Sequence, residues 1–188
     1  MEITETTVRG LRLTEVRDDQ GKLDPIDVQV QNLGPGQGKI TISCFGRCWT
    51  AYWGAMGGET MEEFFISSNT QYLVRKLDND VPSRRNQECP DWYAVVRSWL
   101  IERRRKGDIG RDEARRKWDL VWREEAGGPL YPETLSGDRQ LLCDIFGTPD
   151  WYEYWPKEDN PDYLYLCRIV EAVRCGLRLA QRTAEEAV

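Results

Sequence analysis

Histidine is absent from this chain of 188 residues. Its absence excludes Ser-His-Asp and Cys-His catalysis, histidine general bases and zinc sites that need an imidazole ligand. The strings GxxxxGK[ST], GxGxxG and GxSxG are missing as well. Catalysis would therefore have to use carboxylates, Lys, Tyr or a lone Cys. We expect a protein that is not an enzyme, and the sequence offers no catalytic residue.

Long apolar runs are also missing, since no stretch approaches the roughly eighteen apolar residues of a membrane span. The first ten residues, MEITETTVRG, have neither a basic n-region nor an apolar h-region, so we expect no signal peptide. Charged residues make up 31% of the chain, and the net charge is −6. These features predict a cytoplasmic protein that does not contact a membrane.

Cysteine is sparse, and the six residues are scattered as Cys44, Cys48, Cys89, Cys143, Cys167 and Cys175. Cys44 and Cys48 form one C-x3-C pair, but the second pair that a zinc site usually needs is missing. In a non-secreted chain of this size, reduced thiols are the default. We expect reduced cysteines and neither a metal nor another cofactor.

The hydrophobic pattern changes its period near residue 59. Before this point apolar and polar residues alternate, which is typical of antiparallel strands with one wet face. Beyond it, apolar residues recur at spacings of three and four, for example in a stripe of Trp118, Val121 and Trp122. We predict an α+β fold: an N-terminal antiparallel sheet of three or four strands packed by helices, followed by a mostly helical C-terminal half.

Turn and cap signals divide the helical part. Asn69 offers a new N-cap after a break, and Asn160 precedes a proline at the first position of a long closing helix. The segment DNDVPSRRNQECP between the two halves is typical of a linker. We predict that residues 1–80 form an α+β core and that residues 81–188 form a helical extension packed on it.

Residues 44–58, CFGRCWTAYWGAMGG, combine two cysteines with four aromatics and four glycines. They could form a metal knuckle, a base-stacking platform, an anion-binding loop or a tightly packed corner of the core. Alternation puts Trp49 and Trp53 on one strand face and Tyr52 on the other, which predicts a strand covered on both faces. The helix that follows is expected to begin at an N-cap, Glu59 or Thr60. The acidic residues in its first turn would repel an anion. We favour the core.

The same region carries a family resemblance. The string GKITISCFGRCWTAYWGAMGGETMEEFFISSNTQYLVRKL resembles a family of small accessory proteins of tailed phages and prophages. Their shared signature is a strand, a C-[FY]-G-[RK]-x-W-[TS]-x-Y-W-G-x-M-G block and an EFF…YL helix. The resemblance covers about residues 5–80. It implies a phage accessory protein that acts in the host cytoplasm, and it transfers no catalytic residue.

An acidic, aromatic segment lies at residues 144–165, DIFGTPDWYEYWPKEDNPDYLY. Aromatic side chains are favoured interface anchors, and acidic groups steer association toward basic, nucleic-acid-binding partners. We therefore expect binding and inhibition of a host protein or complex, with a defence system as the target (anti-CRISPR or other anti-defence). The predicted contact residues are Trp151, Tyr152, Glu153, Tyr154, Trp155, Glu158 and Asp159. The alternative is a loop whose aromatics cap the helical core.

A second hypothesis is nucleic-acid binding by the basic segments IERRRK and RDEARRKW, which a helical hairpin would bring together. Its candidate residues are Arg103, Arg104, Arg105, Lys106, Arg115, Arg116 and Lys117. Interleaved acidic residues and the negative net charge argue against it, and a solvated helix face explains the pattern equally. A carboxylate-based nuclease is a third, weaker hypothesis, because no D-x-D or E-x-K pattern lies on a predicted strand.

Overall fold

The computed structural model describes residues 3, 5–88, 90–133 and 135–186. These residues divide into two compact units, one of residues 1–83 and 159–188 and the other of residues 84–158. The first unit includes the closing helix, which the predicted division at residue 80 assigned to the extension. The division into domains stays a prediction. Cys89, one of the six predicted thiols, lies outside the described residues.

The first unit contains a four-stranded antiparallel sheet, as the alternating pattern predicted. Its strands are β1 (Arg9–Leu13), β4 (Ile26–Gly34), β5 (Gln37–Cys44) and β6 (Arg47–Trp53), in the order β1-β4-β5-β6. The short strands β2 (Arg17–Asp18) and β3 (Gly21–Lys22) form a hairpin between β1 and β4. The register places Val28 opposite Ile42, and Ile42 opposite Trp49, on one buried face.

Helices cover that face of the sheet. Helix α1 (Met61–Ser67) begins at Thr60, whose hydroxyl and the Glu63 carboxylate complete a capping box. Helix α2 (Thr70–Leu77) begins at Asn69, which accepts hydrogen bonds from the backbone N–H groups of Gln71 and Tyr72. Both predicted caps are confirmed, as is the start of the closing helix after Asn160.

The expectation that β6 is covered on both faces is wrong. Trp49, Ala51 and Trp53 are buried, whereas Cys48, Thr50 and Tyr52 are exposed on the opposite face. The large tyrosine there faces solvent, and the hydroxyls of Thr41 and Thr50 hydrogen-bond across the strands at 3.0 Å. A half-buried antiparallel sheet tolerates this because its outer face needs only polar or amphipathic side chains.

Close backbone contact explains a glycine in the 34–38 turn. A Cβ atom on Gly36 would lie 2.8 Å from the backbone nitrogen of Gly58, and the Gly36 φ of +67° is left-handed. The Gly36 carbonyl accepts a hydrogen bond from the Met56 N–H at 2.7 Å. Gly36 thus lets the 34–38 turn lie directly against Met56 and Gly58 of the 44–58 segment, in the packed corner of the core that the sequence favoured.

The second unit is mostly helical. It contains the short strand β7 (Arg84–Asn86), helices α3 (Trp92–Lys106), α4 (Arg111–Glu125) and α5 (Ser136–Phe146), and a 3₁₀ turn (Trp151–Tyr154). Strand β7 pairs with β8 (Lys157–Asp159), so part of the predicted linker is a strand. Helix α6 (Pro161–Glu186) closes the chain and packs on α1, α2 and the sheet of the first unit. The predicted α+β class is confirmed.

Candidate interaction surface

The acidic, aromatic segment supplies side chains to the core of the second unit. Trp151 is 7% exposed, and its ring centroid lies 5.5 Å from that of Trp92. The Tyr154 ring stacks on Phe146 at 4.2 Å, and the half-buried Trp155 donates its indole N–H to the Gln87 carbonyl at 2.9 Å. For these three aromatics the packing is the one that the alternative interpretation describes, a cap on the helical core.

The other members of the segment reach solvent to different extents. Tyr152 and Glu153 are exposed, and the Tyr152 hydroxyl donates a hydrogen bond to Asp150 at 2.9 Å. This carboxylate raises the pKa of the tyrosine. Glu158 is half-buried and accepts a hydrogen bond from Arg85 at 2.9 Å, whereas Asp159 is exposed. A partner-binding role for the segment stays a prediction, and its accessible side chains are Tyr152, Glu153 and Asp159.

Helices α3 and α4 form the hairpin that the basic segments predicted. Residues 107–110 join them, and Gly107 ends α3 in a left-handed conformation with φ of +81°. At the far end Arg97 donates two hydrogen bonds to the Glu125 carboxylate, at 2.6 and 3.0 Å. This hydrogen bonding lowers the pKa of Glu125 and raises that of Arg97. The pair links α3 to α4 at this end of the hairpin.

Three of the predicted basic residues already have partners within the hairpin and its neighbours. Arg103 pairs with Asp108 at 2.7 Å, and Lys106 pairs with Glu102 at 2.5 Å. Lys117 pairs with Glu113 at 3.1 Å and also donates to the Ile145 carbonyl. Arg103 and Lys117 both lie over the Trp99 ring, at 5.6 and 5.5 Å from its centroid. Arg103 and Lys117 are therefore held by contacts within the second unit, whereas Lys106 belongs to an exposed surface pair that adds little to stability.

The remaining predicted cations are available to a partner. Arg104, Arg105, Arg115 and Arg116 are exposed, and none has an ion pair in the part of the chain that the structure describes. Unpaired guanidinium groups keep their full hydrogen-bonding capacity for carboxylates or phosphates. The structure thus separates the predicted basic cluster into a structural half and a free half.

The predicted apolar stripe of Trp118, Val121 and Trp122 is wrong for both tryptophans. Val121 is buried, whereas Trp118 is 37% exposed and Trp122 is 70% exposed. Arg111, Arg115, Trp118 and Trp122 follow the i, i+4, i+7, i+11 spacing of one helix face. We call these four side chains the α4 stripe. A signal was present in the sequence, because two arginines share the helical face of the two tryptophans.

The cysteines do not assemble a metal site in the described part of the chain. Cys44 is buried and Cys48 is exposed, on opposite faces of the β5–β6 hairpin, so the C-x3-C pair does not converge. The five described cysteines are free, and no group of three His, Cys, Asp or Glu side chains among the described residues could hold a metal ion. Chemically, the α4 stripe offers exposed aromatic area and unpaired positive charge, and both suit binding.

Comparison with known proteins places the chain in a family. A model described as a phage family matches residues 1–178. The chain therefore belongs to this phage family, and the match extends well beyond the resemblance at residues 5–80, into the helical half. Neither the curated proteins nor the solved structures gave a match. No helix in the described part of the chain is long and apolar enough to cross a membrane.

Proposed function

We propose that this phage-family protein binds and inhibits a host factor by covering its surface, not by catalysis. The proposed target is a bacterial defence system in the host cytoplasm. A CRISPR system, the target of anti-CRISPR proteins, is one example. The observation that carries the binding function is the α4 stripe, because it exposes two tryptophans beside two unpaired arginines. The phage family supports the host setting.

The side chains of the stripe are those that dominate protein interfaces. Tryptophan and arginine are enriched among residues whose truncation costs about 2 kcal/mol or more of binding energy. Trp122 keeps most of its surface in water, so a partner that covers it gains apolar burial at about 25 cal/mol per Å². The i, i+4, i+7, i+11 spacing suits a helix lying along a groove of the partner.

Charge indicates which partner surface fits. Arg111 and Arg115 occupy the N-terminal half of the stripe and the tryptophans its C-terminal half. A groove with an apolar end and an acidic end would complement this order. The acidic, aromatic segment predicted from the sequence contributes a second contact only through its exposed residues, since Trp151 and Trp155 are already packed inside the unit.

Nucleic-acid binding is the second candidate, and the same free arginines favour it. Arg104, Arg105, Arg115 and Arg116 could contact phosphates while the exposed tryptophans stack on unpaired bases. The net charge of −6 and acidic neighbours such as Asp112 and Asp119 oppose it. The protein partner is therefore the function that we favour.

The test is affinity capture from host cells with the full chain, followed by mass spectrometry. We expect one host complex to be captured by the parent and by Tyr52→Ala, a control that removes an equally accessible aromatic from the sheet. The double variant Trp118→Ala/Trp122→Ala should bind the purified host complex with an affinity roughly thirtyfold lower, or weaker still. The captured factor should lose activity when the parent protein is added.

Other outcomes would contradict the proposal in different ways. Equal binding by the parent and by the double tryptophan variant would show that the α4 stripe is not the contact. Loss on Tyr152→Ala alone would move the contact to the acidic, aromatic segment. A shift of labelled single-stranded or duplex nucleic acid that weakens steeply with salt would support the second candidate instead.

A further inference from the structure

Strand β6 lies at one edge of the four-stranded sheet, where β5 is its neighbour in the described part of the chain. The two strands are joined by the two-residue turn 45–46, and both turn residues have positive φ. In such a hairpin the residues that flank the turn, Cys44 and Arg47, exchange backbone hydrogen bonds, and every second pair beyond them does so as well. The backbone groups that point away from β5, toward the open edge, are therefore those of Cys48, Thr50 and Tyr52.

These three residues leave a row of backbone groups for solvent or for another strand. Their N–H and C=O groups make no backbone hydrogen bond to any other described residue. All three residues are exposed. Alternating free donors and acceptors along a sheet edge are a template on which a further strand can pair.

Natural edge strands usually carry features that prevent such pairing, and β6 has few of them. After Arg47 its sequence is CWTAYW, without a charged residue or a proline, and its register with β5 has no bulge. Tryptophan, tyrosine and threonine also favour strands. The opposite edge strand, β1, has the sequence RGLRL, in which two arginines and a glycine oppose pairing. β6 is therefore the edge that is open.

The sequence of β6 is complementary to a second copy of itself. With a two-fold axis at Thr50, all seven residues of β6 pair in an antiparallel ladder, and Cys48 lies opposite Tyr52 of the second copy. On the buried face, the large Trp49 lies opposite the small Ala51. Moving the axis to Trp49 or to Ala51 would leave two of the seven residues unpaired and would bring two identical side chains together on the buried face.

The outer face of the sheet favours the same register. The hydroxyl groups of Thr41 and Thr50 hydrogen-bond across β5 and β6 at 3.0 Å. A two-fold axis at Thr50 places the Thr50 side chains of both copies side by side, so the row of threonines continues from one sheet into the other. Threonine pairs across strands stabilise sheets, and no like charges meet at the centre of this ladder.

We propose that the protein forms a weak two-fold dimer by antiparallel pairing of β6 with β6 of a second copy. The pairing joins two four-stranded sheets into one sheet of eight strands. Two strands of seven residues bury less surface than a standard protein interface, so the dissociation constant should lie in the micromolar range. The contact is independent of the α4 stripe and of the proposed inhibition.

The first test is sedimentation velocity of the full chain in reducing buffer, from about 1 µM to about 1 mM. The parent should pass from monomer to dimer. Thr50→Lys places two like charges opposite each other, so it should raise the dissociation constant by about tenfold or more. The control Gln29→Lys adds the same charge to an exposed position in the same row of the outer face, two strands from the edge, and should dimerise like the parent. Circular dichroism should show both variants folded, since both side chains are exposed.

Hydrogen exchange of the parent chain locates the contact without a substitution. The amides of Cys48, Thr50 and Tyr52 should exchange freely in dilute protein and about fivefold more slowly, or slower still, once the dimer predominates. The amides of Trp49 and Ala51 bond to β5, so they should exchange slowly at both concentrations. A dimer formed through another surface would not produce this alternation.

Three results would overturn the proposal: a chain that is monomeric at every concentration, a dimer that Thr50→Lys leaves unchanged, or a dimer in which the three outward amides gain no protection. If the chain stays monomeric and these amides become protected only when the captured host complex is added, the edge binds a strand of that partner and not a second copy.

Discussion

The tryptophan at the start of the 3₁₀ turn separates a core role from an interface role. Trp151 is almost fully buried, and its ring lies 5.5 Å from that of Trp92 and 5.6 Å from that of Trp155. A tryptophan buries roughly 200 Å² on folding, which at about 25 cal/mol per Å² gives about 5 kcal/mol as an upper value. We expect Trp151→Ala to lower the free energy of unfolding by about 4 kcal/mol.

The adjacent residue provides the matched control. Tyr152 is 56% exposed, its hydroxyl bonds to the neighbouring Asp150, and its ring touches Trp151 only edge-on at 6.3 Å between centroids, so Tyr152→Ala should change the free energy of unfolding by less than about 1 kcal/mol. Urea unfolding followed by tryptophan fluorescence measures both, because six of the eight tryptophans lie within residues 84–158. Equal stability of the two variants would refute the packing argument and return Trp151 to the surface.

Four further predictions concern the first unit and the cysteines. Trp53→Ala should lower the unfolding free energy by about 3–5 kcal/mol in urea, because the buried indole also donates to the Tyr72 hydroxyl; an unchanged midpoint would place it in solvent. Phe45 is 78% exposed, and its φ of +47° is left-handed, a conformation that Asn adopts more readily than Phe. Phe45→Asn should therefore raise the unfolding free energy by about 1 kcal/mol. A decrease would show that the phenyl ring has a packing role. Hydrogen bonding from Arg168 lowers the pKa of Asp18. The pair therefore stabilises the fold above the unfolded pKa of about 4, and this contribution is lost as the pH falls through the lower folded value. Unfolding curves between about pH 6 and about pH 2 should show a smaller acid loss in Asp18→Asn than in the parent. Native mass spectrometry should give the mass of the reduced chain alone, and a reproducible added zinc ion would contradict this.

The strands and helix ends could be predicted because local signals determine them. Alternation in β4 and β5 places Ile26, Val28 and Ile42 on one face, and the register confirms that face as the buried one. The caps at Thr60 and Asn69 are single side chains that satisfy nearby backbone N–H groups, so four or five residues of sequence contain the whole interaction. For the same reason the α+β class followed from the change of period alone.

Which faces of the helices and strands are buried could not be predicted, because burial depends on packing against residues that are distant in sequence. The spacing of Trp118, Val121 and Trp122 fits a core stripe, yet only Val121 is buried. The core of the unit is already filled by large aromatics from other elements, among them Trp92 and Trp151. The same competition explains β6, where one aromatic face is covered and Tyr52 is left in solvent.

This competition for a small core bears directly on function. A unit of 75 residues, 84–158, holds six of the eight tryptophans, more than its core encloses. Three or four of these tryptophans suffice to pack α3, α5 and the 3₁₀ turn. Trp122, by contrast, leaves most of its ring in water, where an ordinary polar residue would serve the fold equally well. An exposed tryptophan beside unpaired arginines therefore adds little to folding, and under the proposed function its burial energy would be gained only on binding. Replacing Trp122 should accordingly alter binding far more than stability, the reverse of the effect expected for Trp151.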